Sequence, residues 1–174
     1  KRYNKGEMVS ADSINFPDSL KYMTKTTKRP VYGGGGIMPD IFIPVDTSSY
    51  SDYYNQILRQ GIMNSFILDY IDKNRESLKN SYPEIKDYQN NFTVTEEMLN
   101  NLYDYASDEG LKRDEKGIET SEKEIKLLTK ALIARDLWDM NEYFQVVNKQ
   151  DRVINKAIEA LENWETYSEK YLKK

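Results

Sequence analysis

The sequence contains no cysteine and no histidine. The first absence removes thiol nucleophiles, disulfides and thiolate metal sites together. The second removes the commonest general base and metal ligand, leaving carboxylates, Lys, Ser/Thr and Tyr for any chemistry. Long apolar runs are missing too: none approaches the roughly 20 residues of a membrane span, and the first residues lack a charged-then-apolar leader pattern. Neither sign of charge forms a block, since 25 Lys and Arg stand against 29 Asp and Glu for a net charge of −4. No basic face recommends nucleic acid or an anionic membrane, which leaves protein or peptide partners.

Glycine and proline are scarce except in one place. Arg29 to Pro44 holds four of the eight glycines and three of the five prolines. After it come only Pro83, Gly61, Gly110 and Gly117. A composition shift of this kind marks a module boundary. At 174 residues the chain suffices for one domain with a core, or one domain carrying a piece of another. It starts at Lys1 rather than Met, so the expectation is a processed product or a piece of a larger polypeptide.

Residues 1–16 are polar and aperiodic, an extended connector. Residues 19–24, Pro30 to Tyr32 and Asp40 to Ile43 are short β-prone runs bracketed by Gly and Pro, predicting two or three short strands. Such strands bury too little to stand alone and are expected to pair with an upstream sheet or a partner chain.

From Asp46 onward the period is helical. Thr47, Ser48, Ser49 and Ser51 offer capping hydroxyls, and Tyr54, Ile57, Leu58, Ile62, Phe66 and Tyr70 predict one helix of about 20 residues with Gly61 inside it. Apolar residues on its other faces mark it as the central helix. Thr93 to Glu96 has capping-box spacing ahead of Met98, Leu99, Leu102 and Ala106, with Gly110 as closing residue. Residues 111–120 read as a charged surface loop. Ser121 to Glu124 is a second capping box leading into Ile125, Leu128, Ala131, Leu132, Arg135 and Trp138, and the helix either continues or restarts at Asp139. Asp151 can cap a last helix bearing Ile154, Ala157, Ile158, Leu161 and Trp164. The predicted class is mainly α: a C-terminal bundle of four to five helices behind a short-stranded β segment that belongs to an upstream sheet.

Several constellations invite chemistry and then fall short. Gly33, Gly34, Gly35 and Gly36 lead into an extended segment rather than a helix, and no Lys-Ser/Thr pair follows, so they read as a structural turn needing positive φ rather than a phosphate cradle. Pro39 and Asp40 belong to the same turn, where the Asp40 carboxylate can lock it by accepting backbone N–H bonds. The pairs Glu96/Glu97, Asp108/Glu109 and Asp114/Glu115 are adjacent, so on a helix they diverge by roughly 100° and read as solvated faces and caps. Ser19/Lys21 and Ser121/Lys123 lack the exposed Gly-flanked turn of a nucleophile. The fourteen tyrosines and two tryptophans fall mostly in helical apolar stripes, as core rather than stacking platforms. No catalytic residue, cofactor or metal site is expected in this chain.

The segment Tyr22-Met-Thr24, followed by Lys28-Arg-Pro-Val-Tyr-Gly-Gly-Gly-Gly-Ile-Met-Pro-Asp-Ile-Phe-Ile-Pro-Val-Asp-Thr47, resembles the end of the protease core in C-terminal processing peptidases (tail-specific proteases) of the Bacteroidetes type. Tyr70 to Arg75 and Leu137-Trp138 are similar to the C-terminal extension of such proteins. The resemblance implies that residues 1–48 end a protease core and 49–174 form a helical C-terminal domain. It also implies a parent serine-type endopeptidase with a Ser/Lys dyad and a PDZ module, located in the periplasm or cell envelope and acting on protein or peptide substrates. Neither the Ser motif, the Lys motif nor a PDZ-like segment lies among these residues, so the chain alone is expected to be inactive. Its expected roles are completing the upstream protease core, shaping substrate access, or self-association as a homo-oligomer, and the alternative is an independent helical protein-interaction module.

Overall fold

Why the first helix starts where it does is a matter of one hydroxyl among four. Ser51 Oγ accepts the Tyr54 N–H at 3.1 Å and caps helix α1, Asp52–Arg59. The expected 20-residue helix then breaks after two turns, because Gly61 sits at φ +74 in the left-handed region that glycine enters without strain. A second helix, α2 (Ile62–Ser81), begins directly behind it. Helix α3 (Ile85–Asn91) follows Pro83, and α4 (Glu96–Asp108) is capped by Thr95, whose Oγ1 accepts the Met98 N–H at 3.2 Å. The cap thus lies two residues beyond the one the sequence suggests. Gly110, at φ +88, closes α4: Leu111 N–H donates to Ala106 O at 2.8 Å and Gly110 N–H to Ser107 O at 3.0 Å, the paired bonds of a Schellman ending.

The structure, a computed structural model, describes residues 9, 14, 17–26, 28–33 and 39–172. Within these the chain is mainly helical, with eight α-helices and one small antiparallel sheet. Helix α5 (Glu115–Leu137) starts inside the stretch read as a loop. Burial overrides the charged composition there, since Gly117, Ile118 and Ser121 all face inward. Helix α6 (Met140–Val147) restarts after Asp139, whose carboxylate accepts the Asn141 N–H at 3.1 Å, and a 3₁₀ turn at Asn148–Gln150 follows. The last helices are α7 (Arg152–Glu162) and α8 (Trp164–Tyr167). More helices form than the four or five expected, because the breaks at Gly61 and Trp138 divide stripes that the apolar period alone runs together.

Residues 47–151 make one compact unit, and residues 1–46 with 152–174 make another. In the first, α5 rather than α2 is the central helix: Ala131, Leu132, Ile133 and Ala134 are buried in succession, and α1, α2 and α6 pack on it. Leu68, on the opposite side of α2, is half exposed. Ser121 is not a cap but a buried mid-helix bridge. Its Oγ accepts the Ser51 N–H and donates to Ser51 Oγ, each at 2.8 Å, so α5 holds the residue that caps α1. Four residues earlier a Cβ on Gly117 would lie 2.6 Å from Asp114 Oδ2 and 2.8 Å from Tyr53 Cβ.

In the second unit, strands β1 (Lys21–Met23) and β2 (Pro30–Tyr32) pair antiparallel, with Lys21 opposite Tyr32 and Met23 opposite Pro30. Residues 40–43 form no third strand; Pro39 and Pro44 bracket them and withhold ladder donors. None of the described residues of this unit is buried.

The close approach at Gly117 gives a direct test. Gly117→Ala gains helix propensity but drives a methyl into the root of Tyr53, which cannot swing away. Urea or thermal denaturation should show a net loss of about 1 to 2 kcal/mol.

Candidate functional site

Of the residues singled out on the sequence, Gly33, Pro39 and Asp40 are described, whereas Gly34, Gly35 and Gly36 lie outside the described residues. Gly33 extends the hairpin, its N–H donating to Leu20 O at 2.7 Å. Its backbone is not left-handed, contrary to the expectation for the run. A Cβ there would stand 2.8 Å from Tyr22 Cε2, so the missing side chain leaves room for the Tyr22 ring. Arg29 donates from Nη1 to Asp40 Oδ1 at 2.6 Å and to Tyr171 O at 3.2 Å, and its own N–H donates to Thr24 Oγ1 at 2.9 Å. Asp40 is thus tied to the strand end by a charged hydrogen bond.

The acidic pairs separate as their spacing suggests. Glu96 lies in the first turn of α4 and accepts from Lys126 at 2.7 Å, while Asp114 precedes α5 and Glu115 pairs with Arg113 at 2.7 Å. Among the described residues no cluster of carboxylates could hold a metal ion, and no helix is long and apolar enough to cross a membrane.

The helical unit holds a cavity of about 630 Å³ that no sequence motif announces. One wall is a single face of α5, presenting Glu119, Glu122, Lys123, Lys126, Leu127 and Lys130 at helical spacing. Phe92 and Val94 of the α3–α4 connection supply apolar floor, and Val146, Lys149 and Gln150 close the far side. Its only sequence signal is the spacing of Lys123, Lys126 and Lys130, which is easily read as a solvated face.

The lysines are not equivalent. Lys126 lies between Glu96 and Glu122, hydrogen-bonded to both, and these bonds raise its pKa. Lys130 instead reaches across to the end of α3, donating from Nζ to Gln89 O at 2.9 Å and to Phe92 O at 2.6 Å. A cation is favourable against carbonyls at a helix C-terminus. Burial, and secondarily the charge of Lys149, hold this ammonium below the ordinary lysine value.

Beneath it Tyr88 is fully buried, its ring among Tyr82, Phe92 and Trp138 and its hydroxyl donating to Lys130 O at 2.8 Å. Burial pushes the Tyr88 phenol far above its usual value and lifts Tyr54 and Tyr103 to about 12. The Tyr53 and Tyr103 hydroxyls are buried without a hydrogen-bond partner among the described residues.

These features define an all-helical domain built around one long helix, with a lysine-lined groove along one side of it. The chain belongs to a family of unknown function, DUF8443, whose model matches residues 53–139. The match takes in α1 to α5 almost whole and leaves Val146 and Lys149 of the groove outside it. No curated protein and no solved structure matches the chain.

The buried phenols set an alkaline limit on stability. Tyrosines with folded pKa values above the ordinary 10.0 contribute stability that is complete below pH 10 and is lost as pH rises through the folded values. Lys130, shifted down, acts with the opposite sign just below the ordinary lysine value of 10.5, but it is one group against several. Thermal melts from pH 8 to 12 should fall steeply above pH 10. Tyr88→Phe should flatten that fall while costing about 1 kcal/mol at pH 8 through its lost hydrogen bond.

Proposed function

We propose that this chain is the non-catalytic C-terminal portion of a serine-type C-terminal processing endopeptidase, whose Ser/Lys dyad lies upstream. The reading starts from the resemblance of residues 22–47 to the end of such a protease core. The observation that carries it is that none of the described residues of 1–46 and 152–174 is buried. A unit with two strands of three residues, and with Tyr22, Met23 and Val31 exposed on them, has too little interior to hold its own fold. An upstream sheet in the same polypeptide would cover those side chains and add ladder partners to the hairpin.

On this reading residues 1–48 complete the protease core, while the helical domain shapes substrate access or self-association. The parent works outside the cytoplasm on protein or peptide substrates.

A second reading has its own support. Residues 47–151 enclose a continuous core from Tyr53 to Val146, and the family match lies wholly inside that span without the glycine-rich segment. The helical domain would then be an independent protein-interaction module.

The decisive experiment is made on the parent. Its coding sequence upstream of Lys1 should encode a Ser and Lys motif and a PDZ-like segment, and the purified protein should cleave a reporter at its C-terminal tail. Removing residues 98–174 should change the cleavage rate or the oligomeric state. If cleavage and assembly are both unchanged, the helical domain takes no part in proteolysis and the second reading stands. An upstream sequence without the dyad overturns the first reading altogether.

A further inference from the structure

The hairpin of the second unit has two outer edges, and its register distinguishes them. Lys21 lies opposite Tyr32, Tyr22 opposite Val31 and Met23 opposite Pro30. Gly33 N–H donates to Leu20 O at 2.7 Å and Thr24 N–H to Arg29 O at 2.9 Å. Hydrogen-bonded pairs alternate along an antiparallel ladder, so Tyr22 and Val31 turn their backbone groups toward each other. Lys21 and Met23 on β1, and Pro30 and Tyr32 on β2, therefore turn theirs outward.

On β2 the outward position at Pro30 has no N–H, and its ring stands where a neighbouring strand would approach. On β1 the Lys21 N–H already donates to Asp18 O in the preceding 3₁₀ turn, which leaves Lys21 O and both backbone groups of Met23. These form an acceptor, a donor and a second acceptor in a row. None of the three has a hydrogen-bond partner among the described residues. All three residues of β1 are exposed, Tyr22 and Met23 more than half so, whereas Tyr32 on β2 is half-buried. An open edge of this kind is a template for another strand.

Charge bears on which strand that is. Lys21, Lys25 and Lys28 stand on the hairpin without an ion-pair partner among the described residues, while Arg29 has Asp40. Lysines at an edge oppose a second copy, whose own lysines would meet them, and favour a strand that brings a carboxylate.

We propose that a strand of the upstream polypeptide adds to the outer edge of β1, hydrogen-bonded to Met23 and to Lys21 O, with an acidic side chain beside Lys21. The proposal rests on the reading that residues 1–48 complete an upstream core, and it names the edge and the chemistry of the joint.

Amide hydrogen exchange, measured on the parent and on the 174-residue chain, tests it. Met23 N–H should exchange at least about tenfold more slowly in the parent, as expected for one ladder hydrogen bond gained. Tyr22 and Val31, bonded to each other, report separately on whether the hairpin itself forms. Lys21→Glu in the parent should speed Met23 exchange about threefold or more by setting like charges side by side, and Lys21→Gln should do less. Fast exchange of Met23 in the parent, equal protection in parent and chain, or a Met23 rate untouched by Lys21→Glu overturns the proposal. The readout does not depend on cleavage. A parent that lacks the Ser/Lys dyad but protects Met23 removes the protease reading and keeps the added strand, and a parent with the dyad and an unprotected Met23 does the reverse.

Discussion

The helical unit depends on how closely α1 approaches α5. Gly117 lets the root of Tyr53 come within van der Waals contact of the α5 backbone, and one turn later Ser121 reaches the N-cap of α1. The two contacts are mutually dependent. A side chain at Gly117 would push the helices apart, and the Ser51 N–H and the buried Ser121 hydroxyl would lose each other, leaving polar groups unpaired at a cost of about 1 to 3 kcal/mol. Burial along the rest of α5 follows from this start: Ile125, Thr129 and the run from Ala131 to Ala134 sit on a helix whose first turns are already pinned. The Thr129 hydroxyl finds the Met63 sulfur at 3.6 Å, so this second buried polar residue faces α2.

The same helix serves the aromatic cluster at its far end. Tyr88, Phe92, Tyr82 and Trp138 meet through edge and stacked contacts with ring centroids 4.6 to 5.8 Å apart. Their geometry fixes the short helix α3, which at seven residues cannot be stable by itself. Lys130 completes the arrangement by capping the carbonyls at the end of α3 while its charge stays at the groove. One residue therefore links a structural requirement to a surface property. Its compact ammonium meets two carbonyls and lies 5.6 Å from the centre of the Tyr88 ring, so the same group also contacts the aromatic cluster.

Much of this was legible in the residue pattern, and the failures have physical causes. A capping hydroxyl among Thr47, Ser48, Ser49 and Ser51, Gly110 as a closing glycine and Met98, Leu99, Leu102 and Ala106 as one buried face follow from local chemistry and recur in the structure, with Ser51 as the cap. Gly61, Gly117 and Ser121 did not. Each is a small residue whose role is set by a partner distant in sequence or by a backbone angle, and a period of apolar residues carries neither. Residues 111–120 looked like loop because charge density is a property of the solvent face, whereas Gly117 and Ile118 belong to the opposite one. The groove was hidden for the same reason: Lys123, Lys126 and Lys130 are spaced like any exposed stripe, and only the fold brings Phe92, Val94 and Val146 up to them.

The other unit poses the opposite problem, since its local chemistry is well specified and its interior is not. Arg29 joins Thr24, Asp40 and Tyr171, and Tyr22 lies on Gly33, so the hairpin has polar ties and one ring contact. Exposed charged hydrogen bonds of this type contribute about 1 kcal/mol or less each. Apolar burial would ordinarily supply the larger share, yet Tyr22, Met23, Val31, Val153, Ile158, Leu161 and Trp164 all remain more than a third exposed. Polar ties define a geometry without providing the energy to maintain it, so the apolar side chains of this unit are the part of the molecule that most requires a further surface.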